Sequence, residues 1–318
     1  MKSSIVKQQK EKQSNLELLR IVSMLFIIML HFFGHGNVLA GAETFTGAYY
    51  FAWAMQGIAL TSVNCYILLS GYFQCKSEFK WKKVIQLVLE VWFYSVSIYI
   101  LMVVTKQLPF SVKTLFCACL PVLNNEYWFV TSYLVMYCIS PLLNIIIENI
   151  QKKQFEQLLA ILTFVFVIWN TIIYYVDPFY LKSGSSLSWF VYLYFVAAYL
   201  RVYLRIDGKI KKWAGLYLFA QIFLIGSKFG IDFITYMLLG EAKNSGIMYK
   251  FNSIFCFVAS VFFFILFLYV RIEQKFICYW INKIGSLTFG VYLLHDNKYM
   301  RSWLWEKIII PSKWIGTV

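Results

Sequence analysis

Apolar residues in this 318-residue chain come in long runs, without the period-two alternation of barrel strands and with short polar stretches between them. A helix needs about 20 predominantly apolar residues to cross a bilayer. On that rule, spans are predicted near 16–35, 48–73, 84–105, 127–147, 157–176, 187–204, 213–233, 250–270 and 284–302. Backbone inside lipid must satisfy its own hydrogen bonds, and long unpatterned runs do so as helices. The expected fold is therefore all-α, a polytopic transmembrane helical bundle of about nine to ten spans. No convincing small-residue cleavage site follows LELLRIVSMLFIIMLHFF, so it reads as an uncleaved first span rather than a signal peptide. Residues 1–15 form a basic tail, 16–302 the membrane domain, and 303–318 a short C-terminal tail too broken to cross again. There is no internal repeat and no low-complexity linker.

Composition narrows the class. Apolar residues make up 60% of the chain, aromatics 20% and charged residues only 14%. Soluble domains carry about 45–50% apolar and about 25% charged residues, and disordered chains are poor in aromatics. Both classes are excluded. The 29 Lys+Arg against 15 Asp+Glu give a formal charge of +14. In so apolar a chain, that excess reads as a topology signal and not as a nucleic-acid footprint. Placing the N-terminus in the cytoplasm puts the larger share of the cations on the cytoplasmic side of the nine-span register, as the positive-inside rule requires. The expected location is a cell membrane crossed several times, with the N-terminus in the cytoplasm. Seven cysteines without a CxxC pair predict neither a metal site nor a disulfide framework.

Charge inside a span is expensive and marks candidate sites. The first span carries Arg20, His31 and His35. Eleven residues at about 100° each make three turns and about 20°, so Arg20 and His31 share a face, about 16 Å apart along the axis. His35 follows one turn later on the same side. This stripe is either a functional path or a snorkelling arginine and a histidine bonded to a neighbouring helix. The third histidine, His295, ends the last run in SLTFGVYLLHD. An imidazole titrates near neutrality and can take a proton from a hydroxyl. Glu90, two turns into the third span, needs a cation, and Arg20 stands at a similar depth. Asn64, Gln56 and Asn170 are expected interhelical hydrogen bonders. Glu126, before Tyr127-Trp128-Phe129, either joins an interfacial belt or faces the same outer cavity as His31. The basic loop KSEFKWKK, residues 76–83, is either a topology signal or a phosphate site. Phosphate-loop, GxSxG, HExxH and dinucleotide glycine patterns are all absent.

Four segments, in order, resemble the acyltransferase family 3 membrane proteins. They are Arg20 and His31 with ten residues between them, CYILLSGYF (65–73), YWFVTSYLVMYCISPLLN (127–144) and SLTFGVYLLH (286–295). NLELLR and ISPLLN look most like the branch acting on capsular or exopolysaccharides. The resemblance implies an O-acyltransferase that carries an acetyl group from cytoplasmic acyl-coenzyme A to a hydroxyl of a cell-surface or lipid-linked glycan. Acetyl-CoA is then the donor substrate, the glycan and the lipid bilayer are the partners, and no metal or nucleic acid takes part. Carried over by residue, His31 is the essential catalytic histidine, with Arg20 at the coenzyme A end. Ser70, Gly71, Trp128 and His295 match motif positions. The expected substrate-binding set is His35, Glu126, Trp128, His295 and Ser70, and the expected coenzyme A set is Arg20, Lys80, Lys82 and Lys83. Two features depart from the family: lysines replace the usual arginines of the basic loop, and the tenth span is expected to be missing. A transporter or flippase of glycan precursors is the rival reading. It predicts broken helices or paired repeats near midplane, and the sequence shows neither.

Overall fold

In the computed structural model, residues 13–205, 209–243 and 245–308 are described. Most of the basic N-terminal tail and residues 309–318 of the C-terminal tail lie outside them. Among the described residues there are helices and turns and no strand. The principal helices are α1 Ser14–His35, α2 Gly47–Ala59, α3 Thr61–Gln74, α4 Trp81–Val104, α5 Trp128–Asn149 and α6 Lys152–Thr163. They are followed by α7 Leu187–Tyr203, α8 Ile210–Leu239, α9 Ile254–Tyr269, α10 Lys275–Gly285, α11 Thr288–His295 and α12 Lys298–Ser302. α2 and α3 run on as one 28-residue rod, and α6 continues through a π turn to Ile172. Six of these elements are long and apolar enough to cross a membrane, and α7 and α9 are shorter apolar helices. Polar caps mark several starts. Thr46, Ser186 and Ser253 each accept a backbone N–H of the first turn of α2, α7 and α9. Gly240, at φ 75°, ends α8 in the left-handed conformation that a Cβ would resist.

The last predicted span is where the structure departs from the run-length reading. It is split there: α10, which starts at Lys275, ends at Gly285, α11 starts at Thr288, and the helix breaks again after His295. The reason is local. The Asn297 side chain accepts the N–H groups of Tyr299 and Met300, so the chain turns and caps a new short helix where continuous helix was expected.

α3 lies at the centre of the bundle, with eleven of its fourteen residues buried. It packs against α1, α7 and α9, and α1 in turn packs against α2, α9, α10 and α11. The polar residues of α3 therefore meet other helices. Asn64 bonds to two of them and to the turn before α9: its Oδ1 accepts Trp189 Nε1–H at 3.0 Å, and its Nδ2 donates to Phe251 O at 2.8 Å and Ser260 Oγ at 3.2 Å. The outer surface is the apolar one. Phe51, Trp81, Phe93, Ile222 and Met237 are all exposed, as lipid-facing side chains are. Asn170, expected to bond between helices, instead returns to Val165 O in its own segment.

Gly71 sets how closely α3 and α7 approach. A Cβ there would stand 2.9 Å from Ala197 Cβ and 3.0 Å from Tyr194 Cα, the second of which is backbone. Gly71→Val is expected to cost about 1–3 kcal/mol by overpacking, read as a lowered thermal midpoint of the detergent-purified protein. An unchanged midpoint would mean that α7 can move away freely.

Fully buried Lys228 and Asp232, one turn apart on α8, pair at 2.6 Å. Lys228 Nζ also donates to Tyr49 Oη on α2, and Tyr49 Oη donates to Asp232 Oδ2 at 2.5 Å. This pair ties α8, otherwise a largely lipid-facing helix, to α2.

Candidate functional site

The polar stripe of α1 faces inward, along three spaces that follow one another through the bundle. The first is lined by Arg20, Tyr66, Ser70, Leu87, Phe129, Tyr133 and the 285–289 turn. The second, the narrowest, is almost wholly apolar and shares Tyr66, Phe129 and Phe289 with the first. The third, the widest, contains His31, His35, Gln56, Trp128, Asp296 and Arg301. It shares Ile27, His31, Val63 and Trp128 with the second. Arg20 and His31 thus line the first and the third of these adjoining spaces, about 16 Å apart by helical rise.

At the Arg20 end, Nη1 donates to Glu17 Oε2 at 2.6 Å. Glu17, and not Glu90, is the acidic partner; Glu90 is exposed on α4. Gly285 makes room for this carboxylate, because a Cβ at 285 would stand 2.5 Å from Glu17 Oε2. Tyr66 Oη donates to Arg20 O at 3.1 Å and anchors α1 to α3. Ser70 lines this first space, at the Arg20 end. Lys80, Lys82 and Lys83 are exposed at the start of α4 and do not line it. By helical spacing Lys83 is one turn before Leu87 on the same face of α4, whereas Lys82 is rotated about 140° away. The backbone N–H of Lys80 donates to Tyr137 Oη at 3.2 Å.

At the other end, all three histidines converge. His295 Nδ1 lies 2.6 Å from Val291 O, and its Nε2 lies 2.9 Å from His31 Nδ1. A carbonyl only accepts, so His295 carries its proton on Nδ1. In the neutral ring, Nε2 is then a lone pair and must receive the proton of His31 Nδ1. The chain of two bonds leaves His31 Nε2 unprotonated and without a hydrogen-bond partner among the described residues. This is the tautomer a base requires. Asp296 adds a carboxylate 3.8 Å from His31 Nδ1 and 3.7 Å from His35 Nε2. Asp296 is itself held by Arg301 Nη2, at 2.7 Å to Oδ1 and 3.0 Å to the carbonyl.

The helix break after His295 is what presents this cluster. Asn297, fully buried, donates to Glu126 Oε1 at 2.9 Å and Tyr127 Oη at 2.8 Å. Tyr127 Oη donates to Leu293 O at 2.9 Å. Glu126 also receives Ser95 at 3.4 Å and pairs with Lys298 at 3.5 Å. Burial pushes the Glu126 carboxyl above its ordinary range, against the pull of Lys298, Ser95 and Asn297. Glu126 therefore does not line the outer space. It holds the turn that carries His295 and Asp296. Trp128 lines both the second and third spaces, with Phe251 stacked beside it at 6.5 Å between centroids.

Asp296, Asn297 and Arg301 are site residues that sequence reasoning did not single out. A partial signal existed, since Asp296 directly follows a histidine at the end of an apolar run. Gln56, expected to join helices, lines the outer space instead.

The family model described as an acyltransferase domain matches residues 13–317. No curated protein and no solved structure matches the chain.

Proposed function

The chain belongs to acyltransferase family 3, and from that membership we propose that it transfers an acetyl group from acetyl-coenzyme A to a hydroxyl of a cell-surface or lipid-linked polysaccharide. The observation that carries this reading is the row of adjoining spaces with a guanidinium at one end and a tautomer-fixed imidazole at the other. The Arg20 end faces the cytoplasm of a bacterial cell and takes the donor phosphates, where charge-assisted bonds to guanidinium are strong. Lys83, exposed one helical turn before Leu87, adds attraction for the same phosphates. The apolar middle space suits the slender pantetheine arm, and Arg20 and His31 are separated by a distance that an extended arm can bridge.

At the outer end, the glycan hydroxyl gives its proton to His31 Nε2 while its oxygen bonds to the thioester carbonyl carbon. The tetrahedral intermediate then expels the coenzyme A thiolate, which takes the proton back from His31. Bond making and breaking balance without an external acid. Asp296 stabilises the transient imidazolium, as a carboxylate near an imidazole does in acyl transfer. Trp128 and Phe251 offer apolar faces for a sugar ring, and His35 lines the same wall.

The reading is tested in membranes with acetyl-coenzyme A labelled in the acetyl group. Label should pass to glycan, and a transporter would move glycan without label. Arg20→Ala should raise the apparent KM for the donor about 10–100-fold, the worth of one lost charge-assisted contact, with a much smaller change in the acceptor KM. An unchanged donor KM would remove Arg20 from the donor site.

A further inference from the structure

We infer that His31 Nδ1, His35 Nε2 and Asp296 Oδ1 form a binding site for a divalent transition-metal ion of the zinc class, and that the ion switches the transfer reaction off. Atoms of the three side chains that can serve as ligands lie within 4.8 Å of one another. His31 and His35 are one turn apart on α1, so both imidazoles project to the same side. Asp296 comes from the far end of the chain, with its oxygen 3.8 and 3.7 Å from the two nitrogens. Around a tetrahedral ion with bonds of about 2.0–2.1 Å, ligand atoms stand roughly 3.3 Å apart. The two carboxylate separations must shorten by about half an ångström, and the two imidazole nitrogens, within 4.8 Å of each other, by up to about 1.5 Å, which side-chain rotation can supply. Two imidazoles and one carboxylate are a borderline-soft donor set, and three protein ligands leave a fourth position open toward the cleft.

The consequence for catalysis rests on the base role assigned to His31 above. Coordination through Nδ1 uses the lone pair of that nitrogen, so the ring's proton must move to Nε2. The bond to His295 Nε2 breaks, and the neutral ring stays neutral. His31 Nε2 then carries a hydrogen and can no longer accept one from a glycan hydroxyl. The ion also competes with Arg301 for Asp296 Oδ1, because the guanidinium already sits 2.7 Å from it. Arg301 therefore sets the affinity from outside the site: removing it should tighten binding, while removing a ligand should weaken it.

The experiment titrates the purified full-length protein in detergent with Co²⁺, followed by its visible absorption, and then competes with Zn²⁺. Acetyl transfer is measured in parallel. One Co²⁺ per chain should bind and be displaced by Zn²⁺. Loss of even an outer partner of a metal ligand typically costs 10–100-fold, so His35→Ala and Asp296→Asn should weaken binding by at least about 100-fold. Arg301→Gln should bind more tightly than wild type, an opposite sign that misfolding cannot produce. Zn²⁺ should silence transfer, and a chelator should restore it. No stoichiometric Co²⁺ on wild type, or equal affinity in His35→Ala, would overturn the site. Metal binding that leaves transfer intact would keep the site and overturn the base role of His31.

Discussion

His31→Ala is expected to lower acyl transfer by about 10²–10⁴-fold, the usual contribution of a positioned general base. The protein should remain folded, because His31 lines the second and third spaces and is not packed in the core. On the proposed reading the loss should appear in kcat with the donor KM near wild type, since that reading puts the donor phosphates at the Arg20 end and the proton transfer in the transition state. The measurement is label transfer from acetyl-coenzyme A to glycan by the purified variant, with thermal unfolding as the control for folding. A variant that transfers acetyl at the wild-type rate would refute the base mechanism outright.

His295 should matter nearly as much, although it acts through His31. Its Nε2 is the acceptor that keeps the His31 proton on Nδ1. In His295→Ala that acceptor is gone, and the His31 ring is free to place its hydrogen on Nε2, where the ring cannot act as base. A base held in the wrong tautomer loses up to about 10⁴-fold in acyl-transfer enzymes, so a loss of about 10²–10⁴-fold in kcat is expected. His295→Gln can offer a side-chain oxygen as the acceptor and should recover part of the rate. Equal activity of the alanine and glutamine variants would point to packing alone, because packing does not distinguish an acceptor from its absence.

Much of the site was legible in the linear pattern. The periodicity of α1 placed Arg20 and His31 on one flank, and the structure finds cavities along that flank at both ends. Asn64 was legible as a polar group in an apolar run, which must find a partner. Lys228 and Asp232 carried the same kind of signal, two charges four residues apart inside an apolar run, yet they were not singled out. Glu90 shows where depth along a helix fails as a guide. It matched Arg20 in level, but rotation turned it away and left Glu17 as the partner. The lysines of the 76–83 loop show a further limit: a basic run reads as a topology signal and as a phosphate site alike, and Lys80, Lys82 and Lys83 are exposed without lining the Arg20 space.

By itself, the sequence determined the environment of this protein and the register of its helices, because burial in lipid leaves the backbone few ways to satisfy its hydrogen bonds. It also placed the two ends of the α1 stripe, because helical geometry is rigid over eleven residues. Only the tertiary structure decided the proton arrangement of His31. That depends on a bond to His295, 264 residues away, on a carboxylate just past an unforeseen helix break, and on Glu126 and Tyr127 pinning that break from another helix. Local pattern can forecast which face a residue occupies. Which atom of that residue holds a hydrogen is set by the partners that folding brings against it.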